Sequence, residues 1–234
     1  MKLFHDWFVC DNDGRYMAKY RDKPEQFLQY GKDIGVIIEQ FCERRSLAID
    51  CGAHYGLVSV WLSKYFDSVH SFEVETEVAS CLESNMEHHN CNNVTVHKCG
   101  LLDYIGNGNI ESMVGKSTSL STFVSKSSGS QTNKIITIDS LNLSDLDFLK
   151  IDVEGGEQSV VRGAIETIKR CKPVIYYEIN YGSSANLQTK KTYGETRFGE
   201  TQSVLQILEP LGYKVVREDE QTKNKSYNIT LKAY

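Results

Sequence analysis

Strand-like apolar segments alternate with helical patterns along this chain of 234 residues. The helical stretches repeat apolar residues at spacings of three and four, which is typical of amphipathic helices. Strands that alternate with helices build a parallel sheet with helices on its faces. We therefore predict an α/β fold whose five parallel strands are Ser46–Cys51, Val69–Val74, Val94–His97, Phe148–Val153 and Pro173–Ile179.

Two more strand-like segments, Tyr213–Arg217 and Tyr227–Leu231, lie near the end of the sequence with a short polar turn between them. So short a link permits an antiparallel pair but not a right-handed crossover. Residues 101–146 are rich in Gly, Ser, Asn and Thr and are too many for a structureless loop. We predict a seven-stranded, mostly parallel sheet with an antiparallel last strand. A small β insertion between strands three and four should include Leu120–Val124 and Ile135–Ile138.

The length suits one sizeable α/β domain and is short for two. We assign residues 46–234 to that domain and residues 1–45 to an N-terminal extension. Apolar spacing after Pro24 predicts a helix through about Cys42. The extension either packs on the domain or forms a lid over an active site.

Composition narrows the class of partner. The net charge of −5 argues against a broad nucleic-acid surface, which needs an excess of Lys and Arg. The seven cysteines form no C-x-x-C pair, so zinc and thioredoxin-like sites have no support. The start lacks a signal-peptide pattern, and no apolar run approaches the roughly 18 residues that cross a bilayer. We expect a cytoplasmic protein without a membrane span.

The first strand runs into a glycine-containing turn, Asp50-Cys51-Gly52-Ala53-His54-Tyr55-Gly56. Open parallel sheets bind ligands at the carboxyl ends of their strands, beside the first strand. Gly52 allows a ligand to approach the backbone closely, and Gly56 allows tight contact where the next helix begins. The residues that we assign to cofactor binding in this turn are Asp50, Gly52, Ala53, His54 and Gly56.

Glu73 ends the second strand, where its carboxylate can accept both hydroxyls of a ribose. A dinucleotide-binding turn reads G-x-G-x-x-G and holds a pyrophosphate at a helix N-terminus. This turn reads D-x-G-x-x-x-G, and its acid, Asp50, would repel phosphate. S-adenosylmethionine (SAM) has cationic groups and no phosphate, so the turn favours SAM over NAD. We also assign Gly100, just after the third strand, to the cofactor site.

Three acids, Asp152, Glu154 and Glu157, crowd the turn after the fourth strand around Gly155 and Gly156. Acids favour a helix N-terminus through its dipole, which accounts for Glu154 and Glu157 without a catalytic role. Asp152 ends the strand, where its side chain reaches the site. We assign Asp152 to cofactor binding as well as to catalysis, because the end of this strand lies close to the ammonium of SAM.

At these motifs the sequence resembles the FkbM family of SAM-dependent methyltransferases. The matching segments are Ile49–Ala53 with Gly56, Ser71–Glu73, Leu149–Glu157 with Arg162–Ala164, and Pro173–Glu178. The resemblance covers about residues 46–180. It implies a Rossmann-like class I methyltransferase fold, SAM as donor with S-adenosylhomocysteine (SAH) as product, and methylation of hydroxyl oxygens on sugars or other metabolites. The family usually has Asn at His54 and Pro at Val74, and neither change removes a ribose-binding group.

Asp152 and Glu178 end the neighbouring fourth and fifth strands, so both side chains can point into one cleft. Either carboxylate could take the proton of the acceptor hydroxyl or orient that hydroxyl. Lys150 lies on the same strand face as Asp152 and either joins this catalytic group or serves as a buried ion-pair partner. The spacing defines no metal ligand set and leaves a divalent metal open.

Two loops leave alternatives. The loop Asn180–Glu200, with Lys190, Lys191 and Arg197 among aromatic residues, is either a surface loop or part of the acceptor site. Gly115–Thr118 resembles the end of a P-loop but has Ile110 where that motif needs glycine. We expect a small-molecule or glycan acceptor. An RNA ribose 2′-hydroxyl, or SAM binding without catalysis, remains the alternative, and the sequence does not give the oligomeric state.

Overall fold

The computed structural model of the protein describes residues 1–111, 122–124, 132–180, 202–221 and 226–234. Gly115–Thr118, most of the loop Asn180–Glu200 and the first half of Leu120–Val124 lie outside these residues. The strands are β1 Lys2–Phe4, β2 Trp7–Val9, β3 Leu47–Cys51, β4 Ser68–Phe72, β5 Val94–His97, β6 Gly100–Leu101, β7 Gly106–Glu111, β8 Thr122–Val124, β9 Thr132–Ile136, β10 Leu146–Ile151, β11 Val174–Asn180, β12 Tyr213–Gln221 and β13 Ser226–Ala233. The α-helices are α1 Gly14–Tyr20, α2 Pro24–Leu28, α3 Asp33–Phe41, α4 Leu57–Leu62, α5 Thr76–His88, α6 Glu157–Arg162, α7 Ile165–Cys171 and α8 Val204–Leu208.

The main sheet has seven strands in the order β12-β13-β11-β10-β3-β4-β5. The parallel part of the sheet consists of the five strands β11, β10, β3, β4 and β5. Strand β13 runs antiparallel to both β11 and β12. The predicted sheet, with an antiparallel last strand, is therefore confirmed. The order places β3 beside β10, so the carboxyl ends of these two strands lie next to each other.

Alternating residues divide the sheet into two apolar faces. Ala48, Phe148 and Val174 face helices α3 and α4, while Ile49, Leu149 and Ile175 pack in the core that includes α6 and α7. All six side chains are buried. Because both faces are covered, these strands are apolar at nearly every position.

Two stretches with helical spacing are each divided in the structure: the helix predicted from Pro24 to Cys42, and the apolar positions Val160, Val161, Ala164, Ile165 and Ile168 after the fourth strand. The stretch from Pro24 to Cys42 forms α2 and α3, separated at Gly31, whose φ of +79° is left-handed. A Cβ at Gly31 would lie 2.9 Å from Val58 Cγ2. Helices α6 and α7 are separated at Gly163, where a Cβ would lie 2.0 Å from the Leu102 carbonyl oxygen. Close tertiary contacts at these glycines interrupt patterns that the sequence presents as continuous.

The insertion between β5 and β10 forms a second sheet with the order β6-β9-β7-β8. It confirms the predicted small β insertion, with β9 at Thr132–Ile136 close to the expected strand. In the part of the chain that the structure describes, no helix is both long and apolar enough to span a membrane.

The N-terminal extension packs against α5 and the turn after β3. The buried Asn85 side chain accepts a hydrogen bond from Phe8 N (2.6 Å) and donates to the carbonyl oxygens of Phe8 (3.0 Å) and Tyr55 (2.9 Å). The Tyr55 hydroxyl accepts from Cys10 N (3.2 Å) and donates to Asp13 Oδ2 (2.9 Å). These bonds fasten the extension to the turn that the sequence assigns to the cofactor.

We expect Asn85→Ala to lower the free energy of unfolding by about 2–4 kcal/mol, because three hydrogen bonds are lost and buried polar groups are left unsatisfied. Limited proteolysis should then cut residues 1–20 faster. Chemical unfolding of Asn92→Ala, which truncates an exposed asparagine nearby, provides the control. Equal stability of the two variants would contradict this account of the extension.

Candidate functional site

The turn after β3 is built on glycines that leave no room for a side chain. Gly52 has φ +77°, and a Cβ there would lie 1.8 Å from the Asp152 carbonyl oxygen. Gly56 has φ +91°, and its Cβ would lie 2.5 Å from Leu82 Cδ1 and Met86 Cε. The backbone amides of Gly52 and Ala53 both donate to the Phe72 carbonyl oxygen at 3.0 Å. The turn is thus fixed against β4, β10 and α5.

Glu73 lies beside this turn as the sequence predicts. Its Oε2 accepts from His54 N (2.9 Å) and its Oε1 from Glu75 N (2.9 Å). The side chain is buried, and desolvation raises the pKa of Glu73 against the effect of these amides. Because each carboxylate oxygen carries a second lone pair, Glu73 retains acceptor capacity for a ligand.

His54 adopts a left-handed conformation with φ +52°. Among residues other than glycine, Asn, Asp and His adopt this conformation most readily. The His54 ring lies 5.0 Å from the Tyr16 ring of the extension and 4.0 Å from the Tyr55 ring. Burial lowers the pKa of His54 to about 4, with nearby Lys150 adding to the fall, so the imidazole is neutral at neutral pH.

Gly100 lies at the edge of the insertion, close to the end of β4. A Cβ there would lie 2.8 Å from Ile135 Cδ1 and 3.2 Å from Val74 Cγ2. The backbone at Gly100 therefore packs directly beside the residue that follows Glu73.

Lys150 is buried between two of the predicted site acids. Its Nζ lies 2.9 Å from Asp50 Oδ1 and 3.8 Å from Asp152 Oδ2, and it donates to the Gly52 carbonyl oxygen at 2.7 Å. Burial by itself lowers the pKa of Lys150, but Asp50 and Asp152 outweigh that effect and raise it. Asp50 is fully buried, and the Lys150 ammonium balances its charge. The sequence instead suggested that a cationic group of SAM would do so.

Asp152 directly follows β10, and Glu178 lies at the matching position within β11. Lys150 of β10 pairs in register with Tyr176 of β11, and the two acids come two residues later, on the same face. Both carboxylates act on the same two phenols: burial raises the pKa values of Tyr30 and Tyr176, and Asp152 and Glu178 raise them further. The acids and phenols therefore share one end of the sheet.

Burial, together with the charges of Asp152 and Glu178, raises the pKa of Tyr30, a residue whose spacing predicts only a place on the apolar face of a helix. Tyr30 precedes α3, and its carbonyl oxygen accepts from Trp61 Nε1 at 3.1 Å. The left-handed Gly31 beside it marks the turn that redirects the chain there. Gly31 was therefore the sequence feature that could have indicated a turn beside Tyr30.

Glu157 turns its carboxylate back onto the loop that follows Asp152. Its Oε1 accepts from Gly155 N (3.0 Å) and Val153 N (3.3 Å). Burial raises the pKa of Glu157 to about 7 despite these hydrogen bonds, and the Asp152 charge contributes to the rise. Glu157 thus supports the loop structurally. This agrees with the prediction that an acid at the start of a helix needs no catalytic role. Within the described ranges, no group of three or more His, Cys, Asp or Glu is placed to hold a metal ion.

The sheet order and the glycine turn define a class I SAM-dependent methyltransferase. The family model of the methyltransferase FkbM domain matches residues 50–215, more than half of the chain, so the protein belongs to the FkbM methyltransferase family. Comparison with curated proteins gave no match.

Solved structures share the fold at low sequence identity. An FkbM methyltransferase from Methylobacillus flagellatus KT has a TM-score of 0.52 and 16% identity, with 80% of this chain and 43% of that chain covered. A SAM-dependent methyltransferase from Aquifex aeolicus has a TM-score of 0.52 and 16% identity, with 97% and 100% covered. The protein SMU.1697c from Streptococcus mutans, solved with SAH, has a TM-score of 0.52 and 14% identity, with 86% and 96% covered. The chain thus spans less than half of the Methylobacillus protein.

The raised pKa of Glu157 predicts a loss of stability with rising pH. The ordinary value of 4.5 applies to the unfolded chain and about 7 to the fold, so the folded state holds the extra proton between these values. Glu157 should therefore lower the free energy of unfolding by up to about 3 kcal/mol as pH rises from 4.5 to 7. Glu157→Gln keeps the acceptor oxygen and should remove this fall.

Chemical unfolding at pH 5 and pH 8 measures the effect. Glu157→Gln should be more stable than the wild type at pH 8 and similar at pH 5. The exposed Glu87→Gln should follow the wild type at both values. A wild type and Glu157→Gln with the same pH dependence would refute the raised pKa.

Proposed function

We propose that this protein transfers the methyl group of SAM to a hydroxyl oxygen of a sugar, a glycan or another small metabolite. The observation that carries the proposal is the arrangement of Asp152 and Glu178, side by side with two phenols at the carboxyl end of the sheet. Glu73 lies two strands from Asp152 in the sheet, beside the glycine turn. Cofactor and acceptor would then meet above β3 and β10.

The residues on the cofactor side fit SAM. Glu73 retains acceptor capacity for two ribose hydroxyls while backbone amides hold its carboxylate in place. Gly52, Ala53 and His54 present the methionine side, and Gly100 closes the edge near Val74. Bound SAM supplies an electrophilic methyl group on a sulfonium. In this assignment Asp50 acts by anchoring Lys150.

The residues on the acceptor side fit a hydroxyl. Asp152 is partly exposed, with 22% of its side chain accessible, and it would accept the hydroxyl proton as the C–S bond of the methyl group breaks, releasing SAH, and the new C–O bond forms. Glu178 and Tyr30 orient the acceptor. Carboxylates and phenols suit hydroxyl groups better than phosphates, which favours a glycan or metabolite over RNA.

We also propose that the protein acts in the cytoplasm. All seven cysteines are buried free thiols, which supports a reducing compartment.

The test separates cofactor binding from chemistry. Labelled SAM is incubated with host glycan, lipid, metabolite and RNA fractions, and the methylated acceptor is then used for kinetics. Asp152→Asn should lower kcat by about 10²–10⁴-fold, because the base is lost, while SAM affinity changes little. Glu73→Gln should weaken SAM binding about tenfold in calorimetry, since a charge-assisted hydrogen bond contributes about 1.5–3 kcal/mol.

Exposed Glu87→Gln and Asp67→Asn serve as matched controls and should leave both quantities unchanged. SAM binding without transfer to any fraction would favour a non-catalytic role. Transfer only to RNA would replace the proposed acceptor class. Equal losses of SAM affinity and kcat in Asp152→Asn would place this residue on the cofactor side.

A further inference from the structure

A buried chain of hydroxyl groups leads from strand β4 to Asp50. Ser71 Oγ on β4 donates to Ser59 Oγ on α4 at 2.8 Å, and Ser59 Oγ donates to Asp50 Oδ2 at 2.7 Å. Ser59, Ser71 and Asp50 are all fully buried. None of these three side chains can touch an acceptor, so any effect they have on the reaction passes through another residue.

Lys150 is that residue. Asp50 uses Oδ2 for Ser59 and Oδ1 for the Lys150 ammonium at 2.9 Å. The ammonium also donates to the carbonyl oxygens of Gly52 (2.7 Å) and Cys51 (3.3 Å) and lies 3.8 Å from Asp152 Oδ2. Its position between the two carboxylates therefore depends on how Asp50 is oriented.

We propose that Ser71 and Ser59 are positioning residues for methyl transfer, acting through Asp50 and Lys150 on the carboxylate of Asp152. The inference rests on the proposed function, in which Asp152 accepts the acceptor proton. With the Ser59 hydroxyl in place, one Asp50 oxygen is held away from Lys150. Without it, both oxygens turn to the ammonium and draw it from Asp152, because a buried carboxylate seeks a donor for each oxygen.

The chain of serine hydroxyl groups should affect catalysis and leave cofactor binding unchanged. Glu73 is held by backbone amides of His54 and Glu75, and neither amide belongs to the serine chain. Loss of a serine hydroxyl should therefore disturb Asp152 and leave the ribose contact of the cofactor intact. A small displacement of a reacting group is enough to lower a rate substantially.

Kinetics of Ser59→Ala and Ser71→Ala test the proposal. Both variants should lower kcat roughly tenfold or more, with the SAM dissociation constant within about twofold of the wild type. Ser71→Thr keeps the hydroxyl on a β-strand, where a branched side chain is favoured, and should restore most of the rate. Ser63→Ala is the control, because Ser63 lies at the C-terminal end of α4 and its hydroxyl donates to the Val60 carbonyl oxygen instead of the serine chain. Unchanged kcat in the two alanine variants, or a parallel loss of SAM affinity, would overturn the proposal.

A second measurement needs no acceptor and keeps this inference separate from the proposed function. The ¹⁵N resonance of the Lys150 ammonium, assigned by its loss in Lys150→Arg, should shift in Ser59→Ala and Ser71→Ala and stay unchanged in Ser63→Ala. An unchanged resonance in folded Ser59→Ala would refute the relay whatever the acceptor. A shifted resonance in a protein that transfers no methyl group would support the relay to Lys150 while the proposed function fails.

Discussion

The buried ion pair between Lys150 and Asp50 is the interaction on which the site depends. It joins the neighbouring strands β10 and β3 close to the carboxyl ends of both. Removing one member of a buried pair leaves an uncompensated charge in the interior, which costs about 3–5 kcal/mol. The pair is therefore retained as a unit, and it fixes both the carbonyl of Gly52 and the surroundings of Asp152.

The backbone contact between the same two strands reinforces this arrangement. Asp152 N donates to the Cys51 carbonyl oxygen at 3.0 Å, and its own carbonyl oxygen occupies the space where a Gly52 side chain would be. The backbone of the glycine turn and the residue that follows β10 are therefore packed directly against each other. On the other side, Asn85 and Tyr55 bind the N-terminal extension to the turn, so residues distant in sequence enclose it.

The strands were predictable because burial on both faces makes each of them a short apolar run. The glycine turn and Glu73 were predictable as well, since backbone geometry and the position after a strand restrict the residue types there. The uninterrupted helix predicted from Pro24 to Cys42 was wrong, because Gly31 adopts a left-handed conformation that ends the helical spacing there and packs against Val58 without room for a side chain. The sequence offers Lys150 as a buried ion-pair partner, but its pairing with Asp50 was not predictable, because the two residues lie 100 positions apart along the chain.

By itself, the sequence determined the seven-stranded sheet, its antiparallel last strand, the β insertion and the glycine turn after β3. These features follow from local periodicity and from short motifs, which each segment carries alone. Only the tertiary structure decided that Asp50 neutralises Lys150, that Tyr30 joins the acids of the site, and that Ser59 and Ser71 reach Asp50. Each of these depends on which strands become neighbours and which helix covers them, and no local pattern encodes such contacts.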